Sequence, residues 1–133
     1  MSGGQFSIRV EARFESAHFL RSYHGVAEPL HGHSYRVEAE LFRAEGTLDD
    51  EAIAVDFIAA ERELARLAKT FDYGCINDIE PFMEINPSAE NLARWFHDEL
   101  SQALQTEGAR VREIVLWEGP LHSVRFVPES NQA

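Results

Sequence analysis

The stretch Leu30-His31-Gly32-His33-Ser34-Tyr35 decides how the chain is read, together with Phe14-Glu15-Ser16-Ala17-His18 upstream of it. Three of the six histidines fall in these two segments. Side chains alternate across a strand, so His31 and His33 share a face. An antiparallel neighbour that brings His18 alongside makes three imidazoles converge. Three nitrogen ligands with one open position is the arrangement of a catalytic zinc site, although the spacing alone does not choose among imidazole-preferring metals.

The flanking residues say that both segments are strands. Phe6, Ile8, Val10, Ala12 and Phe14 alternate with Arg9, Glu11, Arg13 and Glu15, and His18 keeps the apolar parity across a strand over 5–18. From His31 to Phe42 the pattern repeats, with Tyr35, Val37, Ala39 and Leu41 in phase with the histidines. Residues 19–30, with Gly25 and Pro29, read as a loop. Asp56 is the expected N-cap of a helix over 57–70, whose stripe is Phe57, Ala60, Leu64 and Leu67. Residues 71–87 carry loop chemistry, and Ser88 is the expected cap of a second helix over 89–105. Strands over 110–118 and 121–127, joined at Gly119-Pro120, complete a β-β-α-α-β-β order. Pro128 onward reads as a frayed polar tail. The expectation is a single α+β domain over 1–133, an antiparallel sheet with both helices on one face.

Composition narrows the partners. A net charge of −11 repels a phosphate backbone, so nucleic acid is not an expected partner. No apolar run approaches the ~20 residues of a membrane span, and no secretory leader is legible at Met1-Ser2-Gly3-Gly4-Gln5. With Cys75 as the single cysteine, no intrachain disulfide forms, and the expected compartment is the cytoplasm. Glu28, three residues before His31, is either a solvent-facing loop carboxylate or a general base beside a metal-bound substrate. Glu118 has the parity of Ile114 and Leu116, so it reaches an apolar face where a carboxylate needs partners. Asp72 and Asn77 read as residues that hold their own loop, and His24, His97 and His122 as solvated side chains.

Phe14-x-x-Ala17-His18, Leu30 to Tyr35, Val55-Asp56-Phe57, Asp72, Asn77-Asp78, Asn86-Pro87-Ser88-Ala89-Glu90-Asn91 and Glu118 occur in an order and spacing that resemble one family. That family is the 6-pyruvoyl- and 6-carboxy-tetrahydropterin synthases, over about residues 6–127. The resemblance implies a tunnelling fold (T-fold), trimers stacked into a homohexamer, and zinc held by His18, His31 and His33. It implies that Glu118 anchors a pterin by accepting its paired N–H groups, with Ser88 near a pocket that lies between subunits. Two positions depart from the pattern. Ala27 stands where the catalytic cysteine is usual, and Asp72-Tyr73 where the family has Asp-His. Glu28-Pro29-Leu30-His31-Gly32-His33 resembles instead the glutamate-variant group. That group is associated with folate biosynthesis and makes 6-hydroxymethyl-7,8-dihydropterin from 7,8-dihydroneopterin triphosphate. On this reading the chain is a zinc lyase with Glu28, Asp72 and Tyr73 as catalytic residues. The alternatives are a pyruvoyl or carboxy synthase with a rearranged base, or a pterin-binding paralogue without turnover.

Overall fold

A computed structural model describes residues 1–129 of the chain. The tail expected from Pro128 lies, from residue 130 on, outside the described residues. The strands are β1 (Ile8–His18), β2 (His31–Arg43), β3 (Gly74–Cys75), β4 (Ala109–Glu118) and β5 (His122–Phe126). The helices are α1 (Phe57–Lys69) and α2 (Ala89–Ala103), so the fold is α+β. Among the described residues the strands form one sheet in the order β3-β1-β2-β4-β5.

The sheet is mixed rather than purely antiparallel, because β3 runs parallel to β1 through Ser16↔Gly74 and Ala17↔Cys75. These two residues lie in the stretch expected to be loop. A two-residue strand carries no periodicity, so only its partner reveals it.

Alternation along β1 and β2 buries Val10, Phe14, Ser16 and His18 on one strand and Tyr35, Val37, Ala39 and Leu41 on the other. The helices cover that face. Phe14 and Tyr35 are cross-strand partners whose rings stack with centroids 4.8 Å apart, and Phe71 and Phe96 close around Phe14. Asp56 caps α1 by accepting from the Ile58 amide. The buried stripe of α1 is Ala60, Leu64, Leu67 and Ala68, whereas Phe57 is 63% exposed. As the first residue of the helix, Phe57 lies ahead of the turns that meet the sheet. Phe6 is likewise exposed, since β1 begins only at Ile8. Ser88 caps α2 by accepting from the Asn91 amide.

The opposite face of the sheet is charged and internally paired. Arg9 and Arg36 both reach Glu38, the Trp117 indole donates to Glu38 Oε1, and Arg125 grips Glu113 through two hydrogen bonds. No helix among the described residues is long and apolar enough to cross a membrane.

Candidate metal and ligand site

The β1–β2 register sets the histidines. His18 pairs directly with His31 and Ser16 with His33, so His33 is the diagonal neighbour of His18 on the same face. Ring centroids are 4.7 Å apart for His18 and His31, 5.3 Å for His18 and His33, and 4.9 Å for His31 and His33. One nitrogen from each ring lies within 4.8 Å of the others. Tyr35 meets His18 and His33 edge-on, so the stacked Phe14–Tyr35 pair forms the floor of the cluster.

Main-chain carbonyls fix two of the rings. His18 Nδ1 donates to the Pro87 carbonyl and His31 Nδ1 to the Pro29 carbonyl, each at 2.8 Å. With the proton on Nδ1, each ring turns a lone pair outward from Nε2. The Nε2 atoms of His18 and His31 then face each other at 3.1 Å, an arrangement that a shared cation relieves. His33 Nε2 is buried without a hydrogen-bond partner among the described residues. Burial lowers the His33 pKa, Glu118 pulls it back up, and His18 and His31 lower it further. Three converging imidazoles, one with an orphaned buried nitrogen, suit a divalent metal of the zinc type.

Glu118 ends β4 opposite Tyr35 on β2 and His122 on β5. Its Oε1 is 3.3 Å from His33 Nε2 and its Oε2 is 4.0 Å from His18 Nε2. The Gly119 amide donates to the Ser34 carbonyl at 3.1 Å, which ties this strand end to the histidine strand. Burial together with Glu118 and Glu28 pushes the Tyr35 hydroxyl well above its ordinary pKa.

Glu28 is held by the neck of its own loop. Its Oε1 accepts from the Leu20 amide at 2.8 Å while its amide donates to the Leu20 carbonyl at 2.9 Å. Among the described residues Oε2 has no hydrogen-bond partner. A cavity of about 190 Å³ is lined by His18, Leu20, Glu28, Ser88, Glu118 and His122, among others. A larger cavity, about 820 Å³ between Arg43 and His97, lies at the far end of β2 and contains none of these residues.

Thus His18, Glu28, Ser88 and Glu118 meet at one cavity, with His31 and His33 beside His18. Asp72 and Tyr73 do not line it within one chain. Asp72 Oδ1 accepts from the Glu15 amide and the Tyr73 amide donates to the Glu15 carbonyl. The Tyr73 side chain is 87% exposed, beside Ser34 and Gly74. Asn77 does not merely hold its own loop: its side chain clamps both main-chain groups of Phe19. Arg21 completes the anchor, with bonds to Asn86, Ile85 and Phe82.

His122 is exposed, as expected of a solvated side chain, and from there it also lines the cavity; sequence reasoning missed the carbonyls of Pro29 and Pro87. Main-chain ligand orienters leave no signal in residue type.

The family described as 6-pyruvoyl tetrahydropterin synthase matches residues 7–129. The 6-carboxy-5,6,7,8-tetrahydropterin synthase of Aquifex aeolicus is 30% identical over 123 residues, covering 75% of each chain. The structure of Caenorhabditis elegans 6-pyruvoyl tetrahydropterin synthase superposes with a TM-score of 0.79 at 17% identity, covering 97% of this chain and 99% of that one. Plasmodium vivax 6-pyruvoyltetrahydropterin synthase, in a form with alanine replacing a glutamate described as a catalytic residue, gives 0.73 at 18% identity. That match covers 92% of this chain and 97% of the other.

Proposed function

The chain belongs to the 6-pyruvoyl tetrahydropterin synthase family, and from that premise we propose that it is a zinc-dependent lyase of the glutamate-variant group. Its reaction converts 7,8-dihydroneopterin triphosphate to 6-hydroxymethyl-7,8-dihydropterin, a step toward folate. The observation that carries this reading is the carboxylate of Glu28, fixed through Oε1 beside the cavity that His18 and Glu118 also line. The glutamate described as catalytic in the Plasmodium vivax relative supports it.

His18, His31 and His33 would hold the metal. When bound, it would polarise the side-chain hydroxyls of the pterin and lower their pKa. Glu118 accepts the paired N–H groups of the pterin ring, and Ser88 stands at the same wall. Glu28 takes the proton of the 2′-hydroxyl. The C1′–C2′ bond then breaks, C2′ leaves as an aldehyde that carries the triphosphate, and the C6=N5 imine receives the electron pair. Protonation at C1′ completes the hydroxymethyl product. Asp72 and Tyr73 belong to this set by reaching the pocket of an adjoining copy, with Tyr73 as the candidate proton donor. The exposure of Tyr73 supports that placement.

We also infer a single-domain, cytoplasmic protein assembled from trimers into a homohexamer. Both edges of the sheet favour assembly. β3 covers β1 only at Ser16 and Ala17, and β5 forms the other edge.

A second reading, the 6-pyruvoyl or 6-carboxy synthase reaction with a rearranged base, draws on the name of the Aquifex relative. Ala27 weighs against it, as does Cys75, which sits on β3 with Sγ 3.9 Å from Asn77 Oδ1 and does not line the cavity. The test is incubation with 7,8-dihydroneopterin triphosphate followed by chromatography of the pterins. We expect hydroxymethyl-dihydropterin, reduced at least about 100-fold by Glu28→Gln, the scale of a lost general base. A pyruvoyl or carboxy pterin would establish the second reading. Pterin binding without any product would leave a non-catalytic paralogue.

A further inference from the structure

At the end of the sheet away from the histidines lies the larger cavity, about 820 Å³ in volume. β2 is 13 residues long, so Arg43 at its end stands roughly 40 Å from His31 at about 3.3 Å per residue. The cavity is walled by Arg43, by the start of β4 at Ala109 to Val111, and by the last turns of α2. Gly108 leads into β4 at a φ of 71°, and the guanidinium of Arg43 lies over it: a Cβ there would meet Nη1 at 3.8 Å.

The wall is cationic in an acidic chain. Aspartate and glutamate outnumber lysine and arginine 23 to 12. Yet among the described residues no carboxylate lines this cavity, whereas Arg43, His97 and Arg110 do. Arg9, Arg13, Arg36, Arg66, Arg112 and Arg125 are each ion-paired with a glutamate. Arg43 and Arg110 have no ion pair among the described residues. Arg43 Nε donates to Thr47 Oγ1 at 3.2 Å, and its Nη groups carry no hydrogen bond among those residues. The acids near Arg43, Asp49 and Glu107, line an adjoining cavity of about 40 Å³ instead. Amide bonds from Ile53 and Glu51 hold the Asp49 carboxyl below its ordinary pKa, and the Arg43 charge adds to them. His97 Nδ1 is bonded to Asp98 Oδ1 at 2.9 Å and its ring rests against Phe126, so Nε2 is the nitrogen without a partner among the described residues.

Thr47, Ser101, Gln102 and Gln105 complete the wall with neutral donors and acceptors. A guanidinium fork matches a phosphate. The hydroxyl and amide groups around it match a polyhydroxylated body, and among the described residues the wall offers no Phe, Tyr or Trp for a base to stack on. The volume falls in the range of small-molecule sites, roughly 300–1,000 Å³. We propose that this cavity is a second ligand site, separate from the metal site, for a small sugar phosphate whose phosphate is held by Arg43 and Arg110. The assignment does not depend on the pterin reading.

The test is calorimetric titration of the full chain with ribose 5-phosphate, and with ribose and inorganic phosphate as the two halves of that probe. Ribose 5-phosphate is expected to bind saturably at millimolar concentration or below, more tightly than either half. Arg43→Gln should weaken it at least about 10-fold, the low end for a lost hydrogen bond to a charged group. His31→Ala, at the other end of β2, should leave it unchanged. Absence of saturable binding would overturn the proposal, as would inorganic phosphate binding equally well or an unchanged affinity in a folded Arg43→Gln. Binding lost in His31→Ala would put the anion at the metal site and overturn it too. If Arg43→Gln does not fold, Arg110→Gln decides: Arg110 is exposed, and an unchanged affinity in that variant would refute the site.

Discussion

Tyr35 carries the least comfortable atom near the site. Its ring is buried between Phe14 and the histidines, and its hydroxyl has no hydrogen-bond partner among the described residues. An unsatisfied buried hydroxyl costs about 1–3 kcal/mol, whereas the ring contributes its packing with or without the oxygen. Tyr35→Phe should therefore leave the stack intact and raise the unfolding free energy by about 1 kcal/mol in urea titrations. A loss of stability would show that the hydroxyl is satisfied in solution. Glu28 is the contrasting case, since one of its oxygens is held by the Leu20 amide and the other has no hydrogen-bond partner among the described residues. The choice between structural loop carboxylate and general base was open in the sequence because the Leu20 contact closes an eight-residue loop. No local pattern encodes it.

At the scale of elements, β1 and β2 were legible because period-two alternation is strong over both and their apolar faces agree. Their register was not. The pairing of His18 with His31 follows from how the whole strands match, down to Ile8↔Leu41 at the far end. Helix α2 was legible from Ser88 and its apolar stripe. Ser88→Ala removes the acceptor of the Asn91 amide and should cost about 1 kcal/mol in unfolding free energy, with Ser88→Asn recovering most of it. Because Ser88 also lines the cavity, pterin affinity measured on the two variants separates capping from ligand contact. The segment between α1 and α2 was the least legible element. It reads as turns, yet its Asp72, Asn77 and Pro87 reach Glu15, Phe19 and His18. A hydrogen bond between residues nearly sixty or seventy apart leaves nothing for a local reading to find.

For the molecule as a whole, a metal held by His18, His31 and His33 would join β1 to β2. A ligand that binds only the folded chain adds about 2.7 kcal/mol at 100 times its Kd, about 10 °C in Tm for a chain of this length. Chelation should lower the wild-type Tm on that order, and His31→Ala should remove both the bound metal and the response to chelator. Scanning calorimetry with metal analysis checks both. Acid acts in the same direction. Burial holds the His33 pKa below its ordinary value, so the unfolded chain takes up the proton first. Its contribution to stability is whole above about pH 6.5 and falls as the pH drops through the lower folded value. A urea midpoint of the metal-free protein that declines from pH 7 to pH 5 is the expected result.

By itself the sequence determined the strand and helix periodicities, the helix caps at Asp56 and Ser88, the shared parity of His31 and His33, and the family. Each is carried by residue types at fixed short spacing, where side-chain chemistry and backbone geometry act locally. Only the tertiary structure decided that His18 lies opposite His31 and that β3 joins β1 in parallel. It also decided that Glu28 and His122 share a cavity with Glu118, and that two proline carbonyls turn the Nε2 atoms outward. Those facts depend on how distant segments pack against one sheet. Packing is a property of the whole chain's buried surface, and no window of the sequence contains it.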